Sequence, residues 1–247
     1  MTRPVVPADV PDATQPAENQ LLAALPRASR QALQPDLEMV TCEIKDIIYR
    51  PNEPIAHVVF PCSGVVSLLA VGDEDGDLIE VATVGNEAYV GLPLFLGADS
   101  TPGMAIAQIG GEALRMPAAA FQHAVARDSA FASLLNRTTL ALFTQIAQAS
   151  FCNRTHPMVQ RCARWLLMTH DRVSGDTFPL THEFLSQMLG VRRATITEAM
   201  GPLQQAGLIT YARGIVQIAD RAGLEAASCE CYRIIRDEYR RLTGVIG

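Results

Sequence analysis

Residues 181–213 read THEFLSQMLGVRRATITEAMGPLQQAGLITYAR, and this stretch decides the fold of the C-terminal part of the chain. Leu185 and Ile196 belong to an apolar pattern with the spacing of two short helices that bury one shared face. Gly190 stands where the first helix must end and the chain must turn sharply, because glycine adopts positive φ without steric cost. Two short apolar runs flank a tight turn at Gly214, as in a β-hairpin. The stretch therefore predicts a winged helix-turn-helix.

The polar residues of this motif are candidates for contact with double-stranded DNA. The start of the second helix enters the major groove in helix-turn-helix proteins, and arginine suits both phosphate and the O6 and N7 atoms of guanine. Arg192 and Arg193 are predicted on the first turns of that helix, and Arg213 at the wing tip is placed for a phosphate contact independent of sequence. The alternative is a helical hairpin whose polar face is only solvated. Further candidates, for helix capping, phosphate or thymine contacts, are Thr181, Thr195 and Thr197.

The charge of the chain is unevenly distributed. Its formal net charge is −6, but residues 157–247 carry eleven arginines against nine acidic residues, a balance of +2. Residues 1–156 carry nine basic against seventeen acidic residues, a balance of −8. Since specific binding to nucleic acid needs only a local basic surface, this distribution is compatible with DNA binding by the C-terminal part.

The N-terminal residues and the apolar runs bear on localisation. Residues 1–19 contain four prolines and no apolar core, which predicts a disordered lead-in rather than an export signal. No apolar run approaches the ~20 residues of a membrane-spanning helix. We therefore expect a cytoplasmic protein without a membrane partner.

The segment from Cys42 to about Met116 consists of short strand-like runs. Turn signals recur about every ten residues, as expected for a small antiparallel barrel or roll. The acidic loop over 72–77 suggests calcium, but it lacks the EF-hand ligand pattern, so we interpret it as a solvated turn.

A long helix is predicted from Asp128 to about Phe151, a run without glycine or proline. Apolar positions at alternating spacings of four and three form a heptad seam, which predicts that two copies of the helix pair as a homodimer. The alternative is that this stripe packs on the chain's own β-roll. The two interpretations are compatible, because Leu134, Leu140, Ile146 and Ala147 supply a second apolar side. The seam consists of Phe131, Leu135, Thr138, Leu142, Gln145, Ala149 and Cys152.

The order of these elements resembles the Crp/Fnr family of bacterial transcription regulators. The resemblance covers roughly residues 21–219 and rests on 48–53 (IYRPNE), 90–97 (VGLPLFLG) and 180–218. It implies an α+β fold with an N-terminal antiparallel β-roll of the cyclic-nucleotide-binding type, a long dimerisation helix and a C-terminal winged helix-turn-helix. The implied divisions are the β-roll sensor domain at 20–127, the helix and hinge at 128–156, the DNA-binding domain at 157–222 and a C-terminal helix at 223–247.

The resemblance also implies a function. Members act as homodimers on palindromic sites whose half-sites lie about one helical turn, roughly 34 Å, apart. They activate or repress transcription under the control of a small-molecule effector, often by contacting RNA polymerase. In the family register, His182 lies near a phosphate and Arg193 nearest the floor of the groove. Glu198 replaces an arginine of the cyclic-AMP-responsive archetype, which implies a different half-site.

The chain departs from the family pattern at the nucleotide pocket. Cyclic-nucleotide binders carry Gly-Glu-Leu followed about ten residues later by an arginine, where this chain has 91–93 (GLP) and 101–104 (TPGM). A buried phosphate would lack its cationic partner, so we do not expect cyclic AMP as the effector. The implied effector pocket is lined by Val90, Gly91, Leu92, Met104, Thr138 and Gln145.

Other kinds of site receive little support from the sequence. The alternative to a DNA-binding regulator is a small-molecule or haem-binding sensor that acts through protein contacts without binding DNA. In the haem version, His57 or His123 is the axial ligand. Cys229 and Cys231 form a pair without a third ligand nearby in the sequence, so we expect neither a metal site nor a cofactor. Because the chain has no nucleophile–base pair and no phosphate-binding glycine loop, we do not expect an enzyme.

Overall fold

The computed structural model describes residues 18–72 and 78–245. Most of the predicted lead-in over 1–19 and most of the acidic loop over 72–77, with its calcium alternative, lie outside the described residues. No helix within the described ranges is long and apolar enough to cross a membrane.

The N-terminal part of the chain is an antiparallel β-roll flanked by short helices. Its strands follow the apolar runs of the sequence, and the turns fall at the proline- and glycine-rich breaks between them. The elements are α1 (Gln20–Ala23), α2 (Arg27–Leu33), a 3₁₀ turn (Gln34–Asp36), β1 (Glu38–Cys42), β2 (Ile47–Tyr49), β3 (His57–Pro61), β4 (Val65–Val71), β5 (Leu78–Val84), α3 (Leu92–Phe95), β6 (Met104–Ile109), β7 (Gly111–Pro117) and α4 (Ala118–Arg127).

The roll contains two sheets with the strand orders β1-β7-β3 and β2-β6-β4-β5, in which every neighbouring pair is antiparallel. Val66 and Leu69 of β4 face the core that the roll shares with the following helices. A second core, around Phe60, Phe121 and Phe131, joins the roll to the helices that follow it. Burial of one such aromatic side chain stabilises the fold by about 2–3 kcal/mol.

The long helix α5 (Ser129–Thr155) follows the roll, and its N-terminus is capped by a side chain. The Oδ1 atom of Asp128 accepts hydrogen bonds from the backbone N–H groups of Ala130 (2.9 Å) and Phe131 (3.1 Å). These bonds satisfy two of the four donors that a helix leaves free at its N-terminus.

The heptad seam of α5 is covered by the protein's own chain. Phe131 and Leu135 have no exposed surface, and Leu142 is 4% exposed. The polar Gln145 is equally buried, and its Nε2 donates to the carbonyl of Thr83 on β5 at 3.0 Å. The prediction that this seam pairs two copies of the helix is therefore wrong, because the roll and the C-terminal helix already cover it. The alternative, in which the stripe packs on its own β-roll, is correct.

The opposite face of α5 is apolar and exposed to solvent. The side chains of Leu140, Phe143 and Phe151 are 48%, 66% and 49% exposed, and Ala147 is exposed between them. Their spacings of three and four residues place them on one face of the helix. Two of the four, Leu140 and Ala147, belong to the second apolar side noted in the sequence. We call this group the exposed α5 stripe.

The C-terminal part contains the winged helix-turn-helix. The small sheet has the strand order β8-β10-β9, again antiparallel. The fold class predicted from the sequence is thus confirmed: a β-roll, a long helix and a winged helix-turn-helix. The elements are α6 (Met158–His170), β8 (Thr177–Pro179), α7 (His182–Met188), α8 (Arg193–Gln205), β9 (Ile209–Ala212), β10 (Ile215–Ile218), α9 (Arg221–Ala227) and α10 (Glu230–Thr243).

The C-terminal segment forms two helices, α9 and α10, rather than one. The break falls at Ser228 and Cys229, both in extended conformation. Helix α10 then packs along α5 and α6, with Ile235 and Tyr239 buried. It thus covers part of the heptad seam of α5 from within the same chain.

Polar contacts made by two acidic side chains of the roll join it to the C-terminal part. The carboxylate of Glu87 and the guanidinium of Arg172 form an ion pair at 2.8 Å, with side chains 0% and 1% exposed. Gly85 lies so close that a Cβ there would stand 2.5 Å from Cγ of Arg172. Glu80 of β5 accepts a hydrogen bond from Nε1 of Trp165 on α6 at 2.8 Å.

Candidate nucleic-acid interface

The helix-turn-helix is held by a buried apolar centre and by its turn. Leu185 of α7 and Ile196 of α8 are both fully buried. Gly190 has φ +62°, a value that glycine adopts without strain. Just after it, the N–H of Val191 donates to the carbonyl of Ser186 at 3.0 Å. These local interactions explain why the sequence pattern alone located the motif.

The start of α8 presents its polar side chains to solvent. Arg193, Thr197 and Glu198 are exposed on this helix, and Thr195 is half-buried. Arg192 is exposed too, but it is the N-cap residue, in extended conformation, rather than part of the first turn as predicted. The first turn of α8 carries no acidic residue. Two guanidinium groups at the positive end of a helix dipole form a surface suited to phosphate and to base edges.

His182 connects three elements of the motif. Its Nδ1 lies 2.9 Å from Oγ1 of Thr197, and its ring stacks on Tyr211 of β9 with centroids 4.4 Å apart and an angle of 18°. Burial, and then the positive charge of Arg193, lower the pKa of His182. The imidazole is therefore mainly neutral at pH 7 and fixes the relative positions of α7, α8 and the wing.

Tyr211 was not singled out by the sequence analysis. It lies in an apolar run that marked a wing strand, and no spacing in the sequence relates it to the histidine on which it stacks. The hydroxyl of Thr197 also makes hydrogen bonds within the protein that the sequence did not predict. It bonds the carbonyl of Arg193 at 3.2 Å as well as the imidazole, which reduces its freedom to contact DNA.

The wing ends in a tight turn that exposes a guanidinium group. Arg213 and Gly214 have φ values of +51° and +77°, and Ala212 pairs with Ile215 across the turn. Two successive residues with positive φ are typical of a type I′ turn, a conformation that costs a non-glycine residue roughly 1–2 kcal/mol. The turn presents Arg213 to solvent.

The first turn of α7 adjoins the wing. Thr181 caps α7 by accepting a hydrogen bond from the N–H of Phe184 at 3.1 Å. The preceding Leu180 donates its N–H to the carbonyl of Gly214 at 2.9 Å. The predicted residues at the start of α7 and on the wing are thereby brought together.

The residues assigned to an effector pocket are packed into the roll. Val90 is 1% exposed and exchanges two backbone hydrogen bonds with Val59, of 2.9 and 2.7 Å. Gly91 has φ +124°, and a Cβ there would lie 3.0 Å from Cγ2 of Val58. Leu92 and Met104 are half-buried within the same apolar surroundings.

The two polar members of that group lie on α5 and have partners within the protein. Thr138 donates to the carbonyl of Leu134 at 2.9 Å, and Gln145 donates to Thr83. Gln145 also borders a cavity of about 20 Å³ beside Trp165, which has room for about one water molecule. The histidines considered as haem ligands lie elsewhere, His57 at the start of β3 and His123 exposed on α4.

Three cysteines and a histidine meet where α5 ends and α10 begins. The expectation that Cys229 and Cys231 have no further ligand nearby is wrong, because Cys152 of the last turn of α5 and His156, the C-cap of that helix, adjoin them. One ligand atom from each of the four residues lies within 4.8 Å of all the others. These are residue types that bind metal ions.

Comparison with known proteins identifies the family of the helix-turn-helix motif and the structures that share the fold. Residues 160–227 match the model of the Crp-like helix-turn-helix domain. The chain therefore carries a Crp-like helix-turn-helix domain. No curated protein matches its sequence.

Among solved structures, FixK2 from Bradyrhizobium japonicum is similar with a TM-score of 0.66 and 18% identity over 78% of this chain and 98% of that one. A transcriptional regulator of the CRP family from Thermus thermophilus has a TM-score of 0.64 and 20% identity over 76% and 96% of the two chains. The c-di-GMP responsive regulator CLP from Xanthomonas campestris has a TM-score of 0.61 and 14% identity over 78% and 99%. At these identities the likeness establishes the fold, which is that of Crp/Fnr transcription regulators.

Proposed function

We propose that the protein is a sequence-specific DNA-binding transcription regulator. The observation that carries this proposal is the exposed start of α8, where Arg192 and Arg193 project from a rigid, buried helix-turn-helix centre. Arg193 is assigned to reading guanine in the major groove, and Arg192 and Arg213 to the phosphates on either side. Such a regulator acts in the cytoplasm.

The regulator works as a homodimer, paired through the exposed α5 stripe. Leu140, Phe143, Ala147 and Phe151 form a band of apolar surface in the half of α5 that leads to the winged domain. A second copy of the same helix is the occupant that fits, because the stripe has heptad-like spacing and a two-fold pairing presents two winged domains. The DNA site is accordingly palindromic, with half-sites roughly 34 Å apart.

Cyclic AMP is not the effector of this regulator. Residues 88–104 (AYVGLPLFLGADSTPGM) contain no lysine or arginine and one aspartate. Val90 and Leu94 are buried there among apolar side chains, so a phosphate would be desolvated without a cationic partner. Any effector of the roll is a different small molecule, and transcription is regulated through contact with RNA polymerase.

In vitro selection from random DNA tests the DNA-binding role. We expect the purified protein to enrich a two-fold symmetric sequence, and the Arg192→Ala/Arg193→Ala variant to lose it. The matched control is Arg27→Ala/Arg127→Ala, which removes the same charge from exposed helices of the roll and keeps the enrichment. Equal enrichment by all three proteins, or none by the wild type at low salt, would contradict the proposal and favour a sensor that acts through protein contacts.

Sedimentation velocity tests the homodimer. Phe143→Glu places a charge in the exposed α5 stripe, so we expect monomers and at least a tenfold loss of affinity for the palindrome. Gln122→Glu on α4, also an exposed position, is the control and stays dimeric. A Phe143→Glu protein that remains dimeric would show that the copies pair elsewhere.

A further inference from the structure

The cysteine–histidine cluster has the chemistry and spacing of a metal site. Cys152 lies in the last turn of α5, and His156, four residues later, is the C-cap of that helix. Cys229 is the N-cap of α10 and Cys231 its second residue. The three cysteines form a separate buried group, at 0%, 4% and 0% exposure. The chain thus brings four donor groups from two helices to one point.

Two of the six distances between ligand atoms of the cluster match the edges of a tetrahedron around one ion. Sγ of Cys152 lies 3.5 Å from Sγ of Cys229, and Sγ of Cys231 lies 3.6 Å from Nδ1 of His156. A zinc ion with bonds of about 2.3 Å to sulfur and about 2.0–2.1 Å to nitrogen separates its ligand atoms by about 3.5–3.8 Å. These two pairs therefore already have the separation that one ion requires, and no two of the four ligand atoms are more than 4.8 Å apart.

A carboxylate holds the histidine in the orientation that a ligand needs. Nε2 of His156 faces Oε1 of Glu230 at 3.3 Å, while Nδ1 faces the cysteines. Donation of Nε2–H to a carboxylate leaves Nδ1 as the lone-pair atom, which is the usual outer-shell arrangement of a metal-binding histidine. The cluster is therefore more than three thiols that happen to be buried together.

We propose that Cys152, His156, Cys229 and Cys231 bind one zinc ion in tetrahedral coordination. On binding, three S–H bonds break and three protons pass to solvent, while three Zn–S bonds and one Zn–N bond form. No group is oxidised or reduced. The three thiolates and the ion together carry one negative charge, and the buried guanidinium groups of Arg161 and Arg164 lie within electrostatic reach of Cys152.

The ion ties the start of α10 to the end of α5. His156 is also the C-cap of α5 and is followed by Pro157, the N-cap of α6, so the site lies at the hinge that leads into the winged domain. Loss of the ion removes this tie, while the packing of α10 on α5 and α6 remains. The assignment does not depend on the proposed DNA-binding role, because metal binding is measured without DNA.

Metal analysis of the full, reduced chain is the primary test. We expect one zinc per chain on purification. After removal of zinc by a chelator, Co²⁺ alone is expected to give the intense visible bands of a tetrahedral ion with thiolate ligands. Cys152→Ser and Cys229→Ser are expected to lose the metal. Cys162→Ser is the control, because Cys162 is buried outside the cluster, where burial raises its pKa to about 12.

Several outcomes would overturn the assignment. Folded, reduced wild-type protein that binds neither Zn²⁺ nor Co²⁺ excludes the site, whether or not the serine variants fold. Iron with acid-labile sulfide would replace the single ion by a cluster, which needs its thiolates farther apart. A disulfide between Cys152 and Cys229 that persists in thiol reductant would exclude metal binding as well.

Glu230 provides a milder test of the same site. Glu230→Gln keeps all four ligands and weakens the acceptor for His156, so we expect zinc affinity to fall about 10–100-fold while the Co²⁺ spectrum stays tetrahedral. Glu238→Gln on the same helix, where Glu238 pairs instead with Arg241, is the matched control and leaves affinity unchanged. An unchanged affinity in Glu230→Gln would show that the Glu230 carboxylate does not support the metal site through His156.

Discussion

The β-roll and the winged domain present their expected functional residues in opposite ways. In the roll, the positions that resemble an effector pocket are packed against their neighbours: Val90 pairs with Val59, and Gln145 bonds Thr83. In the winged domain, Arg193 and Arg213 project into solvent from a rigid framework. The same family resemblance suggested both sites, but only the second has side chains free to meet a ligand. Substitutions in the roll should therefore act on stability, and those on the winged surface on DNA affinity.

The largest effect is expected in the core next to the roll. Phe131→Ala removes a fully buried ring that meets Phe121 edge-on at a centroid distance of 5.8 Å. We expect the free energy of unfolding to fall by about 3–5 kcal/mol, measured by urea denaturation. Leu96→Ala, at a position 63% exposed, is the control and should stay within about 0.5 kcal/mol. A small loss in Phe131→Ala would mean that the core beside the roll is loosely packed.

The next effect concerns the contact between the two regions. Burial raises the pKa of Glu80 to about 7, against the opposing hydrogen bonds from Ser67 and Trp165. Because the folded state binds this proton more tightly than the unfolded state, the stabilisation is complete below pH 4.5 and is lost as pH rises through 7. The loss is at most about 3 kcal/mol.

Fluorescence of Trp165, the only tryptophan in the chain, measures this titration directly. We expect a transition near pH 7 in the folded protein, and none in Glu80→Gln, which keeps a hydrogen-bonding group at the same place. A transition that persists in Glu80→Gln would assign the titration to another group.

A smaller effect is expected on the winged surface. Arg193→Ala should cost about 1–3 kcal/mol of binding free energy at the matched base pair and relax specificity there, with stability unchanged. Arg193→Lys should restore little, since lysine cannot make the bidentate contact. Fluorescence anisotropy with cognate and single-base variant duplexes provides the measurement. Equal losses on cognate and random DNA would refute the base-reading role.

The smallest effect is expected at the tip of the wing. Arg213→Ala should weaken binding to all sequences alike, by roughly 1 kcal/mol or less, and reduce the slope of log affinity against log salt by about 1. Arg213→Lys keeps the charge and should retain most of the affinity. A loss confined to one DNA sequence would give the wing a part in base reading.

The sequence predicted the parts of this structure that depend on neighbouring residues. Gly190, the apolar spacing of α7 and α8, and the breaks between strands of the roll are local signals, and each element lies where its pattern placed it. The covered face of α5 was not predictable in this way. Periodicity shows that a stripe is apolar, but α10, which covers part of it, lies more than eighty residues away in the sequence from the first residues of the seam.

The same limitation explains why the sequence did not predict the cysteine–histidine cluster or the contacts of His182. Cys152 and Cys229 are separated by 77 residues, so no spacing rule connects them. The stacking of His182 on Tyr211 likewise depends on how the wing folds back on α7. Both contacts are tertiary, and they appear only once the helices and the wing have been placed.

The buried pair of Glu87 and Arg172 has a consequence for any movement between the roll and the winged domain. Separating the two would leave each charge without its partner in a poorly hydrated interior, a state several kcal/mol above the paired one. Intermediate degrees of opening are therefore scarcely populated, and the energy falls again only when water reaches both groups. The pair therefore favours the arrangement in which the roll and the C-terminal part stay engaged over any arrangement in which they are partly separated.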